Sequence, residues 1–371
     1  MSKHIFLGQA SDYTFGECFA HAFSFASKKN SQALTDYLAN RYKIKPEQVI
    51  LTKNGRSALA LALKAVAPKD SKVGINGLTC YAVIEAIKAA GLEPVYIDIN
   101  AETLHFDETT LKTALKNEPN LKTIIIQNTF GIPADIEALE KLAKTKKIKI
   151  IEDLAHCVGT KYADGREAGT VGEMTALSFG KEKVINAISG GALIINNPEY
   201  DTIAAPSISP KISDSLRARF YPFFGRIYRK LSYVKLNGAW MRFLLSTHQV
   251  ERSADNKLEL KVRPSHLEMK TALKKFKKLP KNPPHLREFV LVENRSKLLA
   301  KLRKAGYYLD GFWYDTPIIP SRYYKKAKFD VEKYPVAAEI SQKIINLPTH
   351  YSQKKLEKAY KIIKEHQNGN N

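Results

Sequence analysis

The chain has 371 residues, a size that suits one large domain with a smaller one. It carries 59 Lys and Arg residues against 37 Asp and Glu, and between residues 211 and 310 the numbers are 24 and 8. This imbalance predicts a surface that attracts phosphates, nucleic acid or anionic lipid. No apolar run is long enough to span a bilayer, and the first residues do not resemble a signal peptide.

The cysteines are three in number, Cys18, Cys80 and Cys157. An odd count argues against a disulfide framework, and their spacing is not that of a metal site, so we expect neither. We therefore expect a protein of the reducing cytoplasm.

In the first half of the chain, short apolar runs alternate with helical patterns. The predicted elements are a helix after Asn54-Gly55, a strand at 73–75, a helix at 82–90, strands at 94–99 and 123–127, a helix at 135–146 and a strand at 148–151. This alternation predicts a mostly parallel sheet, in which ligands lie beyond the carboxyl ends of the strands. Asp153 and the segment Gly77 to Tyr81 each follow such a strand.

The pattern changes from about residue 206. A helical pattern runs from Glu288 to Gly306, a strand-like aromatic run follows at 307–314, and a last helix is predicted at 332–345. We expect a large α/β domain over residues 1–250 and a smaller C-terminal domain over 251–371.

A lysine pair follows the apolar run Ala176-Leu-Ser-Phe, and a glycine doublet, Gly190-Gly191, follows the lysines. A lysine at the end of a buried strand can lose its proton and attack a carbonyl, which is the chemistry of a Schiff-base enzyme. An aspartate such as Asp153 is the partner that pyridoxal phosphate (PLP) requires. Taken singly, Lys181 or Lys183 could be a surface charge, and Asp153 could be structural.

Other residues on the same edge of the sheet also allow a functional and an ordinary interpretation. Gly55 opens a helix, where free amide groups favour an anion, and Ser178 precedes the lysines. Each also has an ordinary interpretation, because Gly55 could form a turn, Ser178 could be a buried hydroxyl, and Gly190-Gly191 could be a tight turn between strands.

Together these motifs resemble the DegT/DnrJ/EryC1/StrS family of sugar aminotransferases, within the aspartate-aminotransferase fold type of PLP enzymes. The matching segments are Asn54-Gly-Arg-Ser-Ala-Leu59, Leu78-Thr-Cys-Tyr-Ala82, Glu152-Asp-Leu-Ala-His-Cys-Val-Gly159, Gly169 to Gly172, Ser178 to Lys183 and Ser189-Gly-Gly191. The resemblance implies a three-layer α/β fold with a mostly parallel sheet and a smaller α+β C-terminal domain.

The resemblance also implies roles for individual residues. Lys183, rather than Lys181, fits the family spacing for the lysine that forms the Schiff base and moves a proton. Asp153 would pair with the pyridine nitrogen and His156 would lie near the ring. The phosphate would be held by Gly55, Arg56 and Ser178, and the ring would be covered by the segment that contains Tyr81.

The chain departs from the family pattern at three places. Arg56 replaces a small hydroxyl residue, and Cys80 stands where many members have a stacking aromatic residue. Lys261-Val-Arg263 replaces the Asn-x-Arg element that reaches the phosphate of the partner subunit in relatives.

The function that the resemblance implies is transfer of an amino group from an amino acid, glutamate by expectation, to a nucleotide-linked keto-sugar in polysaccharide biosynthesis by a homodimer. One alternative is a PLP-dependent sugar dehydratase, although members of that kind have a histidine at the position of Lys183. The others are a different PLP enzyme of the same fold type and a catalytically silent binding or scaffold protein.

The segment at about 206–250 interleaves aromatic and basic residues and has no counterpart in the family. One interpretation is a helical insertion that packs on the main domain or on a dimer partner. Another is a surface for anionic lipid or a lipid-linked sugar, which would put a cytoplasmic protein at the inner face of the membrane. Nucleic acid is the least favoured partner, since no nucleic-acid motif is recognised.

Overall fold

The structure is a computed structural model, and it describes residues 5–6, 13–232, 239, 258–309 and 313–368. The aromatic residues Tyr233, Trp240 and Phe243 of the predicted insertion therefore lie outside the described residues, as does most of the segment before residue 13. Among the described helices, none has the length and apolar content needed to cross a membrane.

The strands, numbered in chain order, are β1 (Ile5–Phe6), β2 (Val49–Thr52), β3 (Lys72–Asn76), β4 (Thr79–Cys80), β5 (Glu93–Ile97), β6 (Leu121–Ile126), β7 (Lys149–Asp153), β8 (Met174–Ser178), β9 (Gly191–Ile195), β10 (Arg287–Leu291), β11 (Tyr307–Tyr308), β12 (Ile318–Ile319) and β13 (Ile344–Pro348). The helices are α1 (Phe15–Ala22), α2 (Lys29–Tyr42), α3 (Gly55–Val66), α4 (Tyr81–Ala89), α5 (Glu108–Asn117), α6 (Ile136–Lys146), α7 (Ile212–Ser232), α8 (His266–Lys277), α9 (Arg295–Lys304), α10 (Tyr324–Ala327), α11 (Pro335–Lys343) and α12 (Gln353–Asn368).

Seven strands form the central sheet in the order β2-β9-β8-β7-β6-β3-β5. The strand β9 runs antiparallel to β2 and β8, and the remaining neighbours are parallel. The sequence prediction of a mostly parallel α/β sheet is confirmed.

Helices cover both faces of this sheet, because successive strand residues point to opposite sides. In β6, Ile124 and Ile126 belong to the apolar cluster that contains α2, α6 and α8, whereas Ile125 belongs to the cluster of α3 and α4. This alternation buries the sheet on both sides and gives the three-layer architecture that the sequence predicted.

A smaller α+β unit is built on the antiparallel pair β10 and β13. It has an apolar core of its own, to which α9 contributes Leu298 and Leu302 and α12 contributes Leu356 and Ile363. The helix α8, however, packs Met269 and Phe276 into the core of the large sheet. The boundary predicted at residue 250 stays a prediction.

The strand predicted at 307–314 is, among its described residues, confined to Tyr307–Tyr308. Two further sequence predictions in this unit are wrong in their bounds. The segment Arg287–Leu291 begins as a strand rather than a helix, because it pairs along its whole length with β13. The last predicted helix, 332–345, starts at Pro335 and gives way to β13 at Ile344. Both errors arise from a pairing between segments that are far apart in the chain.

Candidate active site

The predicted site residues meet around one cavity at the carboxyl ends of β7 and β8. Its lining includes Gly55, Arg56, Cys80, Gln127, Asp153, His156, Ser178, Lys183 and Tyr314. Six of the seven residues that the sequence singled out are therefore brought together, and Tyr81 is the exception.

Lys183 and its rival Lys181 lie in different surroundings. Lys183 lines the cavity, and its Nζ lies 4.9 Å from the centroid of the Trp313 ring. The Nζ of Lys181 instead lies 4.8 Å from the ring centroid of Tyr221 in α7. Of the two lysines, the structure therefore presents Lys183 to the cavity.

Asp153 is the last residue of β7 and is held by the backbone that follows it. The Ala155 N–H donates to Oδ1 of Asp153 at 3.0 Å. Burial raises the pKa of Asp153, against the opposing effects of this hydrogen bond and of the Lys183 charge. A carboxylate in this position can face a protonated ring nitrogen. The positive charge of that nitrogen would keep the Asp153 carboxylate ionised in spite of its burial.

The imidazole of His156 is buried and its proton is positioned. The Phe130 N–H donates to Nδ1 of His156 at 3.3 Å, so the neutral ring carries its proton on Nε2. Burial, together with the charges of Lys183 and Arg287, holds the pKa of His156 well below its usual range. His156 is thus a neutral hydrogen-bond donor at the edge of the cavity.

The preceding residue, Glu152, has a structural role. Its carboxylate is fully buried and accepts from the Tyr162 hydroxyl and from the N–H groups of Gly169, Val171 and Gly172, at 2.7–2.8 Å. The conformation of the Gly169 to Gly172 loop is therefore fixed by Glu152. Since neighbouring strand residues face opposite sides, Asp153 is left to face the cavity.

The N-terminus of α3 meets the end of β8 at the phosphate-binding position expected from the sequence. The Asn54 side chain caps α3 by accepting from the Ser57 N–H at 2.9 Å. A Cβ on Gly55 would lie 2.7 Å from Cβ and 3.0 Å from Oγ of Ser178. Only glycine allows this approach, which brings the free N–H groups of a helix and a hydroxyl to one place.

The glycine doublet has a supporting role at the same place. A Cβ on Gly191 would lie 2.8 Å from the Gly55 nitrogen, so the absence of a side chain lets β9 pack against the start of α3. Gly190 has a φ of +103° and donates its N–H to the Lys53 carbonyl at 3.0 Å. Gly190 pairs with Asn54 in an isolated bridge and Gly191 begins β9, so the doublet lies at the start of a strand rather than in a tight turn.

Arg56 adds a positive charge to the cavity wall. Its guanidinium forms an ion pair with Glu85 of α4 at 2.8 Å, and both side chains are largely buried. The ion pair holds the Arg56 side chain in one orientation, and the guanidinium belongs to a residue in the first turn of α3.

Tyr81 does not line the cavity. It is 2% exposed and stacks on Tyr323, with ring centroids 4.8 Å apart. The cause is the parallel pairing of β4 with β12, which brings the segment of Tyr323 against the start of α4. Cys80 and Tyr314 stand at the cavity in its place, and burial raises the pKa of the Cys80 thiol.

Sequence reasoning missed Gln127 and Tyr314. Gln127 follows β6 directly and exchanges hydrogen bonds with the Thr79 hydroxyl, so its position at the very end of a predicted strand is a usable signal. Tyr314 comes from a distant part of the chain and is 1% exposed, and no local pattern marks it.

These residues fit PLP on structural grounds. The close approach of Gly55 to Ser178 leaves a cradle that a side chain would fill, and the buried carboxylate of Asp153 and the amine of Lys183 share the same cavity. The cradle would suit the phosphate of PLP, the carboxylate of Asp153 its ring nitrogen, and the amine of Lys183 its aldehyde.

The fold is that of sugar aminotransferases of known structure, which form a class of PLP-dependent proteins. The solved structure of the aminotransferase TlmJ from Streptoalloteichus hindustanus has a TM-score of 0.68 and 18% identity over 99% of this chain and 100% of that one. The PLP form of Spr1654 from Streptococcus pneumoniae has a TM-score of 0.64 and 19% identity, over 98% of both chains.

Within that class, the chain belongs to the DegT/DnrJ/EryC1/StrS aminotransferase family, whose model matches residues 24–212. Aminotransferases of this family use PLP. Similar curated proteins are a GDP-perosamine synthase of Escherichia coli O157:H7, 33% identical over 145 residues, and a dTDP-3-amino-3,4,6-trideoxy-alpha-D-glucose transaminase of Micromonospora megalomicea subsp. nigra, 34% identical over 148 residues. Each match spans 39% of this chain and 39% of the relative.

Proposed function

We propose that this protein is a PLP-dependent aminotransferase that transfers an amino group from an amino acid to a nucleotide-linked keto-sugar. The observation that carries the proposal is the meeting of Lys183 and Asp153 with the Gly55–Ser178 cradle around one cavity. When bound, PLP supplies a reactive aldehyde and an electron sink that holds the amino group between two half-reactions.

Lys183 would hold the cofactor and move the proton. Its amine is the one lysine nitrogen among the residues that line the described cavity. It lies beside the Trp313 ring, which gives the charged form a favourable contact when the amine is not engaged. A lysine in this position can both bind an aldehyde carbon and return a proton to a neighbouring carbon.

Asp153 and His156 would orient the ring. Asp153 would accept from the ring nitrogen, and the neutral His156 would donate from Nε2. Because burial makes an uncompensated carboxylate costly, a cationic nitrogen opposite Asp153 would remove that cost and be held tightly.

The phosphate would lie at the N-terminus of α3. It would accept from the free N–H groups near Gly55 and from Oγ of Ser178, while Arg56 contributes charge. The phosphate would thus be fixed chiefly by the start of α3, and the aldehyde by Lys183 in the loop after β8.

The substrate proposal rests on the family and on charge. The relatives include a GDP-perosamine synthase and a dTDP-sugar transaminase. A net charge of +22 favours a substrate that carries a diphosphate. We propose glutamate as the amino donor, a homodimer as the working form, and a role in polysaccharide biosynthesis in the cytoplasm.

The test is the absorbance spectrum of the purified protein with PLP, before and after glutamate. We expect a visible band on addition of PLP and its loss when glutamate donates its amino group, followed by recovery with a nucleotide-linked keto-sugar. A colourless protein would contradict PLP binding and favour a scaffold role. A band that glutamate and other amino acids leave unchanged would contradict transamination and favour another PLP chemistry.

A further inference from the structure

Exposed apolar side chains concentrate on two neighbouring helices at one side of the molecule. They are Phe15, Phe19, Phe23 and Phe25 in and after α1, and Ile212, Leu216, Phe220 and Ile227 in α7. Their exposed fractions reach 92% for Phe25 and 79% for Ile212. Scattered exposed hydrophobic residues are common on proteins, but such a contiguous set marks an interaction surface.

In each helix the exposed residues lie on a single face. Phe15, Phe19 and Phe23 are four residues apart, and so are Ile212, Leu216 and Phe220. A helical stripe with this spacing is ordinarily the face that packs into a core. In α1 and α7, however, this apolar stripe is exposed, so each helix presents an apolar face to the outside of the molecule.

Contacts between α1 and α7 join the two stripes into one surface. The ring of Phe19 meets that of Phe223 edge to face, with centroids 5.3 Å apart. Arg226 donates to the Tyr13 carbonyl at 2.8 Å and lies 3.9 Å from the ring centroid of Phe15. We call the eight exposed residues together the α1–α7 surface.

Lysines of α8 border this surface. Lys270 is exposed and donates to the Phe25 carbonyl at 2.6 Å and to the Ser24 hydroxyl at 2.9 Å. Lys274 and Lys275 are also exposed and lie near enough to Glu17 of α1 for their charges to lower its pKa. Surfaces that bind to the membrane interface typically combine exposed apolar side chains with neighbouring lysines in this way.

We propose that the α1–α7 surface docks the protein on the surface of an anionic lipid bilayer. The phenylalanine and isoleucine side chains would enter the boundary between headgroups and acyl chains, and the lysines would face anionic headgroups. A second copy of this chain is a poorer occupant of the same surface, because it would bring a second border of lysines against the first.

The sequence alone suggests a lipid surface only within residues 206–250. The structure adds α1 and the lysines of α8, and it supports the surface with described residues alone. The proposal does not depend on the aminotransferase function.

The test is cosedimentation of the full-length, PLP-loaded protein with vesicles of phosphatidylcholine alone or mixed with phosphatidylglycerol. We expect binding to the mixed vesicles at low salt and much weaker binding to phosphatidylcholine. The triple variant Phe23→Ser, Phe25→Ser and Ile212→Ser should lower the partition coefficient about tenfold or more, since these side chains are mostly exposed in the free protein. Val331→Ser, at another exposed apolar residue, is the matched control and should bind as the unaltered chain does.

A second pair of variants tests the charged border. Lys274→Gln with Lys275→Gln should reduce binding several-fold, whereas Lys354→Gln with Lys358→Gln on α12 should not, although the net charge changes equally. Equal loss in both pairs would show that only overall charge matters and would overturn the proposal. So would an absence of vesicle binding by the unaltered chain at low salt.

Two further outcomes would assign the surface to another occupant. If the triple variant lowers the molar mass measured by analytical ultracentrifugation, the surface is a contact between copies. If single-stranded RNA binds, and the Lys274 and Lys275 variant loses RNA binding while vesicles do not bind, the partner is nucleic acid. Retention of the PLP band by every variant shows that the fold is intact in these comparisons.

Discussion

Gly55 at the start of α3 and Ser178 at the end of β8 approach so closely that a Cβ on Gly55 would lie 2.7 Å from the Cβ of Ser178. The contact links a glycine in the first turn of a helix to a hydroxyl at the edge of the sheet. Because the side chain of Gly55 is only a hydrogen atom, the N-terminus of α3 can lie directly against β8 at the cavity, and any larger side chain would displace it.

Gly55→Ala should therefore weaken PLP binding. The methyl group would push α3 away from β8, and we expect an affinity at least about tenfold lower and a loss of about 1–3 kcal/mol in the free energy of unfolding. Titration with PLP and urea denaturation measure the two effects. Gly16→Ala in α1 is the control, because a Cβ there meets nothing within 4 Å, and it should change neither quantity adversely.

Replacement of Lys183 should abolish the visible band of bound PLP, because the cavity would lose the amine that holds the aldehyde. Lys181→Ala is the matched control, since its side chain lies against Tyr221 and not in the cavity. Spectra of both variants after gel filtration with PLP provide the measurement. A Lys183→Ala protein that kept the band and turned over would refute the assignment.

Glu152→Gln should destabilise the protein by about 2–3 kcal/mol. Each carboxylate oxygen accepts two hydrogen bonds, so an amide NH2 in either place would face two donors and leave them unsatisfied. Urea denaturation measures the change. Glu173→Gln serves as comparison, because Glu173 pairs with Lys149 near the surface, and it should cost less than about 1 kcal/mol.

Stability should fall between about pH 4.5 and pH 7 because of Glu268. Burial raises its pKa to about 7, although the Ser265 hydrogen bonds and the charge of Lys53 oppose the shift. The folded state thus keeps a proton that the unfolded chain releases near pH 4.5. The contribution is complete below that pH and is lost as the pH rises through about 7, by about 3 kcal/mol. Glu268→Gln should remove this dependence and still form the capping box with Ser265.

Glu17 of α1 gives a comparison of opposite sign. It forms the same capping box with Thr14, but it is more exposed. Burial alone would raise its pKa, whereas the Thr14 hydrogen bonds and the charges of Lys275 and Lys274 lower it overall. Glu17 therefore stabilises the fold above its usual pKa, and Glu17→Gln should leave the decline toward pH 7 in place. Thermal unfolding at a series of pH values distinguishes the two variants.

The parts of the site that local sequence predicts are those that lie at strand ends. The strand before Asp153 and the helix opened by Gly55 are readable from apolar periodicity, and parallel strands bring their carboxyl ends to one edge. The cavity also needs Tyr314, which arrives through the β4–β12 pairing, and no periodicity in either segment announces that contact. For the same reason no local pattern predicts that Tyr323 stacks on Tyr81.

The outward stripe of α1 shows a different limit of sequence reasoning. Phe15, Phe19 and Phe23 have the spacing of a core-facing helix, and only the structure reveals that they are exposed. Periodicity identifies the face of a helix that is apolar, but not what that face meets.

The pairing of β4 with β12 has a consequence for the order of events during synthesis. Thr79 and Cys80 leave the ribosome long before Ile318 and Ile319, which align beside them in the finished fold. A nascent chain that has completed the seven-stranded sheet still lacks the strand that braces this wall of the cavity. We therefore expect tight cofactor capture to begin only after the C-terminal third has emerged, which couples loading to completion of the polypeptide.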